Sequence, residues 1–112
     1  MITNKETAKH YTWGQNCSSW VLADTAGLSV KQESMPSNTK EQLHFHKNAQ
    51  QFFYILKGVA TFYSDGDKDT IGANTGILIP AGTKHYIANE TQHELEFLVI
   101  SQPSTNEDRF NL

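Results

Sequence analysis

The stretch His44-Phe45-His46-Lys47-Asn48-Ala49-Gln50-Gln51 decides how the rest of the chain reads. Side chains alternate between the two faces of an extended strand, so His44 and His46 point to one side and reach the same point. Gln51 opens the next apolar run, Gln51 to Lys57, which Gly58 ends with a turn signal. Far downstream, His85 supplies a third imidazole. If the chain returns so that His85 stands over the same point, three ring nitrogens and the amide oxygen of Gln51 surround one cavity. That donor set suits one divalent transition metal ion. Nitrogen and oxygen donors alone do not choose among Zn, Ni, Mn, Fe, Co and Cu.

Working outward, the pattern is all β. Strands are expected over Ser19–Asp24, Leu28–Met35, Glu41–His46, Gln51–Lys57, Ala60–Ser64, Asp69–Gly72, Gly76–Ile79, His85–Ala88 and Glu94–Ser101. Thr25-Ala26-Gly27 and Asp65-Gly66-Asp67 read as turns, the second as a hairpin. Many short strands without helical periodicity predict a single-domain jelly-roll β-barrel. The expected domain fills residues 1–112, with a core barrel of about 18–101, an N-terminal segment 1–17 and a C-terminal tail 102–112. Asn4 can cap a helical turn in the first segment. The tail either docks on the barrel through Phe110 and Leu112 or frays.

Parity extends the site. With His44 and His46 inward, Gln42 is inward too, and an inward Gln51 carries Phe53 and Ile55 with it. Gln42, Phe53 and Ile55 are therefore expected to wall a mostly apolar substrate pocket, with Tyr86 as the candidate catalytic acid. Phe52, Tyr54 and Leu56 then face outward as an apolar row. A partner subunit, making a homodimer, or the aromatics Tyr11, Trp13 and Trp20 would have to cover it.

Composition narrows the classes of function. Nine basic residues face twelve acidic ones, and Arg109 is the sole arginine. With a sequence pI near 5.9, no nucleic-acid partner is expected. The eight lysines are scattered and the longest apolar runs are far too short to span a bilayer, so no membrane partner is expected either. The polar start has no signal-peptide core, so a cytoplasmic location is expected. Cys17 is the only cysteine and reads as a small core residue. His10 and His93 lack partners at metal spacing and are expected to face solvent.

His44-x-His46, Gln51 and Gly58 resemble the first cupin motif, and Pro80-x-Gly82-x-x-His85-x-x-x-Asn89 resembles the second. Resemblance to the cupins implies a barrel around one divalent metal held by His44, His46, Gln51 and His85, usually in a dimer. Two departures stand out. Asn38 and Asn74 replace the usual opening glycines, and both can take the left-handed conformation. Gln51 replaces the usual Glu, which leaves a bound divalent ion near +2 instead of +1, a weaker-held but stronger Lewis acid. In this the chain is similar to pectin-degradation cupins that convert unsaturated monouronates to linear keto forms, and to phosphomannose isomerases. The resemblance implies isomerisation or tautomerisation of a small oxygenated, sugar-like or enolisable substrate. A non-catalytic ligand-binding or sensing cupin, or an iron-dependent dioxygenase, is the alternative.

Overall fold

The computed structural model describes residues 1–112 and holds twelve strands and no helix. In chain order they are β1 (Lys9–Trp13), β2 (Cys17–Asp24), β3 (Ser29–Met35), β4 (Thr39–Lys40), β5 (His44–Phe45) and β6 (Gln50–Lys57). The second half supplies β7 (Ala60–Ser64), β8 (Asp67–Ile71), β9 (Gly76–Ile79), β10 (His85–Asn89), β11 (Leu95–Gln102) and β12 (Phe110–Asn111). They form two antiparallel sheets of jelly-roll type. One runs β1-β2-β3-β11-β6-β9; the other runs β12-β5-β10-β7-β8, with β4 also on β10. No helix is long and apolar enough to cross a membrane.

The core lies between the inner faces. β11 alternates buried and half-buried residues along its length, the signature of a strand with one face inside. Leu95, Phe97 and Val99 point in and meet Met35, Phe53, Ile55, Phe62 and Ile87. Phe53 is the hub, 5.0 Å from the ring of Phe62 and 5.9 Å from that of Phe97. Each large side chain so buried is worth roughly 1.5–3 kcal/mol. Cys17 belongs to the same cluster, as expected of a small core residue.

The turns follow the local sequence. Asp65 and Gly66, both at positive φ, join β7 to β8 in a two-residue hairpin. Asn38 and Asn74 sit at φ of 60° and 63°, the left-handed conformation anticipated for them. Gly58 combines φ of +85° with a close approach: a Cβ there would lie 2.6 Å from the main-chain oxygen of Glu94. Asn89 is fully buried and ties a corner together, its amide donating to the carbonyls of Met35, Pro36 and His93. Asn4 caps a turn as anticipated, its side-chain oxygen accepting from the amides of Glu6 and Thr7.

One expectation needs correction, and two stretches left open by the sequence are resolved. The expected strand Glu41–His46 shortens to β5, and a separate β4 forms ahead of it, with Glu41 between the two turning its carboxylate to accept the amide of Ile87 at 3.1 Å. Residues 9–13, unassigned from sequence, form β1, joined to β2 across Gly14 and Asn16, both at positive φ. Residues 102–112 do not fray: Phe110 and Asn111 pair with Phe45 and His44, and the amide of Leu112 bonds the carbonyl of Leu43.

The outer face of the β1-β2-β3-β11-β6-β9 sheet carries the expected row Phe52, Tyr54 and Leu56 and extends it sideways. Val30, Ile100, Phe52 and Leu78 are register neighbours across β3, β11, β6 and β9. Phe52 and Leu78 are exposed. The N-terminal aromatics do not cover this row. Trp20 stacks near His10 under the Lys5 ammonium, while Tyr11 and Trp13 line the central cavity.

Candidate metal centre

Both sheets contribute to the site. β5 and β10 pair with His44 opposite His85, and the chain leaving β5 returns His46 to the same side. From the facing sheet, Gln51 points in from the start of β6, between Ser101 of β11 and Ile79 of β9. All three histidines are buried. Their ring centroids stand 4.4 Å (His44–His85), 5.0 Å (His44–His46) and 5.6 Å (His46–His85) apart. One nitrogen from each lies within 4.8 Å of the other two.

Main-chain carbonyls fix which nitrogen faces the cavity. Nδ1 of His44 bonds the carbonyl of Gln42 at 2.7 Å, Nδ1 of His46 that of Asp108 at 2.6 Å, and Nδ1 of His85 that of Thr83 at 2.8 Å. A carbonyl only accepts, so in each ring Nδ1 donates and, when the ring is neutral, Nε2 keeps its lone pair. Burial is the main reason that His44 and His85 are pushed down to about 4, so both are neutral at pH 7. Nε2 of His46 is buried without any partner.

Gln51 completes the set. Its amide nitrogen donates to Ser101 Oγ at 3.1 Å, which turns its oxygen to Nε2 of His85, also 3.1 Å away. Two lone pairs then face each other in a buried site, an arrangement that repels unless a cation lies within reach of both. The buried, unpartnered Nε2 of His46 makes the same demand. These residues therefore fit a divalent metal ion, with the carbonyl partners acting as the outer groups that orient metal-binding histidines.

The cavity at His46 and Gln51 has a volume of about 370 Å³. Gln42 and Phe53 line it as expected, but Ile55 does not: it is fully buried in the core one step further along β6. Nor does Tyr86 reach it. Alternation puts His85 and Ile87 inside and Tyr86 outside, where its ring stacks 4.7 Å from that of Tyr63. The cavity is also more polar than expected, since only four of its fifteen lining residues are hydrophobic. Lys31, Lys40, Arg109, Glu33 and Glu41 all face it. Lys31 donates to the Tyr11 hydroxyl at 3.0 Å, and Arg109 lies 3.6 Å from the Glu41 carboxylate.

Sequence reading passed over two groups that build this site. Asp108 is buried, and its carboxylate accepts the main-chain amides of Lys47, Asn48 and Ala49 at 2.8–3.0 Å. It thus holds the loop that follows His46. Glu33 is buried on the inner face of β3, and only its parity with Met35 gave a clue. His10 and His93 are exposed and take no part, as expected.

Comparison with known proteins agrees with the fold. The family model described as "Cupin domain" matches residues 31–101. The chain is 30% identical over 66 residues to the oxalate-binding protein of Thermotoga maritima, a match covering 59% of this chain and 54% of that one. It spans 54–60% of the length of the curated relatives it matches. KdgF from a Halomonas species is similar in structure, with a TM-score of 0.86 at 13% identity over 96% of each chain. A cupin-superfamily sugar phosphate isomerase from Silicibacter pomeroyi superposes with a TM-score of 0.81 at 18% identity, over 93% of this chain and 76% of the other. With the matched family spanning both halves of the histidine cluster, the chain belongs to the cupins.

Proposed function

We propose that this cupin is a metal-dependent enzyme that isomerises or tautomerises a small anionic, oxygenated substrate. The observation that carries this reading is the convergence of Nε2 of His44, His46 and His85 with the Gln51 oxygen, all with their other polar atoms already engaged. A divalent ion held there supplies Lewis-acid polarisation of a substrate oxygen. The neutral Gln51 leaves the ion its full positive charge, which favours an anionic partner. Lys31, Lys40 and Arg109 at the cavity add to that preference, and about 370 Å³ suits a small molecule. A sugar phosphate isomerase and an oxalate-binding protein among the similar proteins fit the same class of ligand.

The reading is tested in two steps. Elemental analysis of purified protein is expected to show close to one transition-metal ion per chain, lost in H44A and H85A. The metal-loaded protein is then offered uronates and enolisable acids. Turnover supports the enzyme; tight binding without product supports the sensing alternative. We also propose a homodimer packed through Phe52, Leu78 and Ile100, and light scattering that gives a monomer would reject it.

A further inference from the structure

We propose that Glu33 is the proton-transfer residue of this cavity, acting on a small carboxylate substrate at a carbon next to a carbonyl. The proposal rests on the metal-assisted reading above and names the group that reading lacks. Glu33 is only 8% exposed, lines the same cavity as His46 and Gln51, and forms no ion pair. The nearby cations are engaged elsewhere, Lys31 with Tyr11 and Arg109 with Glu41. The hydroxyl of Ser19, its buried cross-strand neighbour, is the one polar side chain set against the Glu33 carboxyl from β2 and favours its charged form.

The two cavity carboxylates are not equivalent. Glu41 is fixed on both oxygens, one taking the Ile87 amide and the other facing Arg109. Glu33 is free to exchange a proton. Burial, reinforced by the negative charge of Glu41, pushes it up to about 7, where acid and base forms are both populated at neutral pH. Packing does not explain the residue, because an apolar side chain would fill this place without the cost of burying a carboxyl.

In the proposed step the Glu33 carboxylate takes a proton from the carbon beside the carbonyl. The C–H pair becomes a C=C bond, and the carbonyl π pair moves to oxygen. Return of the proton to the same carbon gives exchange; where that carbon bears a hydroxyl, its O–H proton passes to the former carbonyl oxygen, a new C=O forms there, and return of the carbon-bound proton to the former carbonyl carbon gives an isomer of unchanged composition. Lys40, which lines the cavity and forms no ion pair, is the cation available to the substrate carboxylate.

The test uses full-length, metal-loaded protein in deuterium oxide with pyruvate, 2-oxoglutarate or D-glucuronate as probes. Proton NMR follows loss of the hydrogen beside the carbonyl, with H85A as the metal-free control. Wild type is expected to exchange at least one probe, and E33Q to do so at least about 100-fold more slowly with its metal content unchanged. E33Q exchanging at the wild-type rate overturns the role of Glu33 and leaves the metal-assisted reading standing. No exchange of any probe by loaded wild type overturns both. Infrared titration of wild type needs no variant: a protonated-carboxyl band that persists to neutral pH is expected, and its absence overturns the assignment.

Discussion

The main-chain oxygen of Asp108 accepts a hydrogen bond from Nδ1 of His46 at 2.6 Å, although the two residues lie 62 positions apart in the chain. The same residue clamps the amides of residues 47–49 with its carboxylate. One aspartate from the last strand's approach therefore fixes both a metal-binding ring and the loop behind it. D108A keeps the main-chain oxygen that bonds His46 but loses the carboxylate clamp, and through the loosened loop it is expected to lower metal affinity by about 10-fold. It should also lower stability by roughly 2 kcal/mol through the lost hydrogen bonds to a charged group. Competition with a chelator and denaturant melts measure the two effects, and wild-type affinity in D108A would show that the carboxylate clamp does not position the metal-binding ring.

Gln51 is the one neutral oxygen donor aimed at the cluster, and a carboxylate in its place adds a charge that attracts the ion directly. Q51E is expected to bind a divalent metal more tightly than wild type, with altered turnover. Titration calorimetry with zinc decides it. Equal affinity in the two proteins would mean that the side chain of Gln51 does not touch the ion.

Metal-free protein should lose stability in mild acid. His44 and His85 are neutral down to about 4 in the folded state but titrate near 6.5 when unfolded. Between those values the unfolded chain binds two protons that the folded chain does not, so stability rises with pH. Glu33 works the other way, because its folded value of about 7 lies above 4.5 and its contribution fades as pH rises through that range. Two protons against one leave a net rise between about pH 4.5 and 6.5. Thermal melts should show Tm climbing across that window in wild type and more steeply in E33Q. A flat or falling profile in wild type contradicts the assignment of the neutral rings.

Gly58 and Gly66 both have positive φ, but only Gly58 is pressed against backbone. G58A is expected to destabilise by more than about 1 kcal/mol, from strain and from the contact with Glu94. G66A carries the strain alone, since nothing lies within 4 Å of an added Cβ. It should therefore cost less. The order of the two denaturation midpoints is the check.

The jelly roll and the histidine cluster were legible because period-two alternation and turn residues are local signals. His44 and His46 share a side whatever the rest of the chain does, and the spacing around His85 marks its return. Tyr86 stays outside for the same reason that His85 points in: neighbours on one strand face opposite ways, so both cannot enter the cavity. Ile55 shares the inner face with Phe53, but distance along the strand takes it past the cavity into the core. Asp108 and Glu33 were not legible. Asp108 matters only because β12 finds β5, and two residues of strand leave no periodic trace. Glu33 stands out only once burial and the approach of Glu41 are known, and both come from tertiary packing.

All three rings have their Nδ1 protons already committed to main-chain carbonyls, so their free nitrogens need no rotation and no tautomer exchange before an ion arrives. At neutral pH His44 and His85 also release no proton on capture. Uptake should then be paced by how fast the ion sheds its own water, fast for zinc and slow for nickel, with little contribution from rearrangement of the polypeptide.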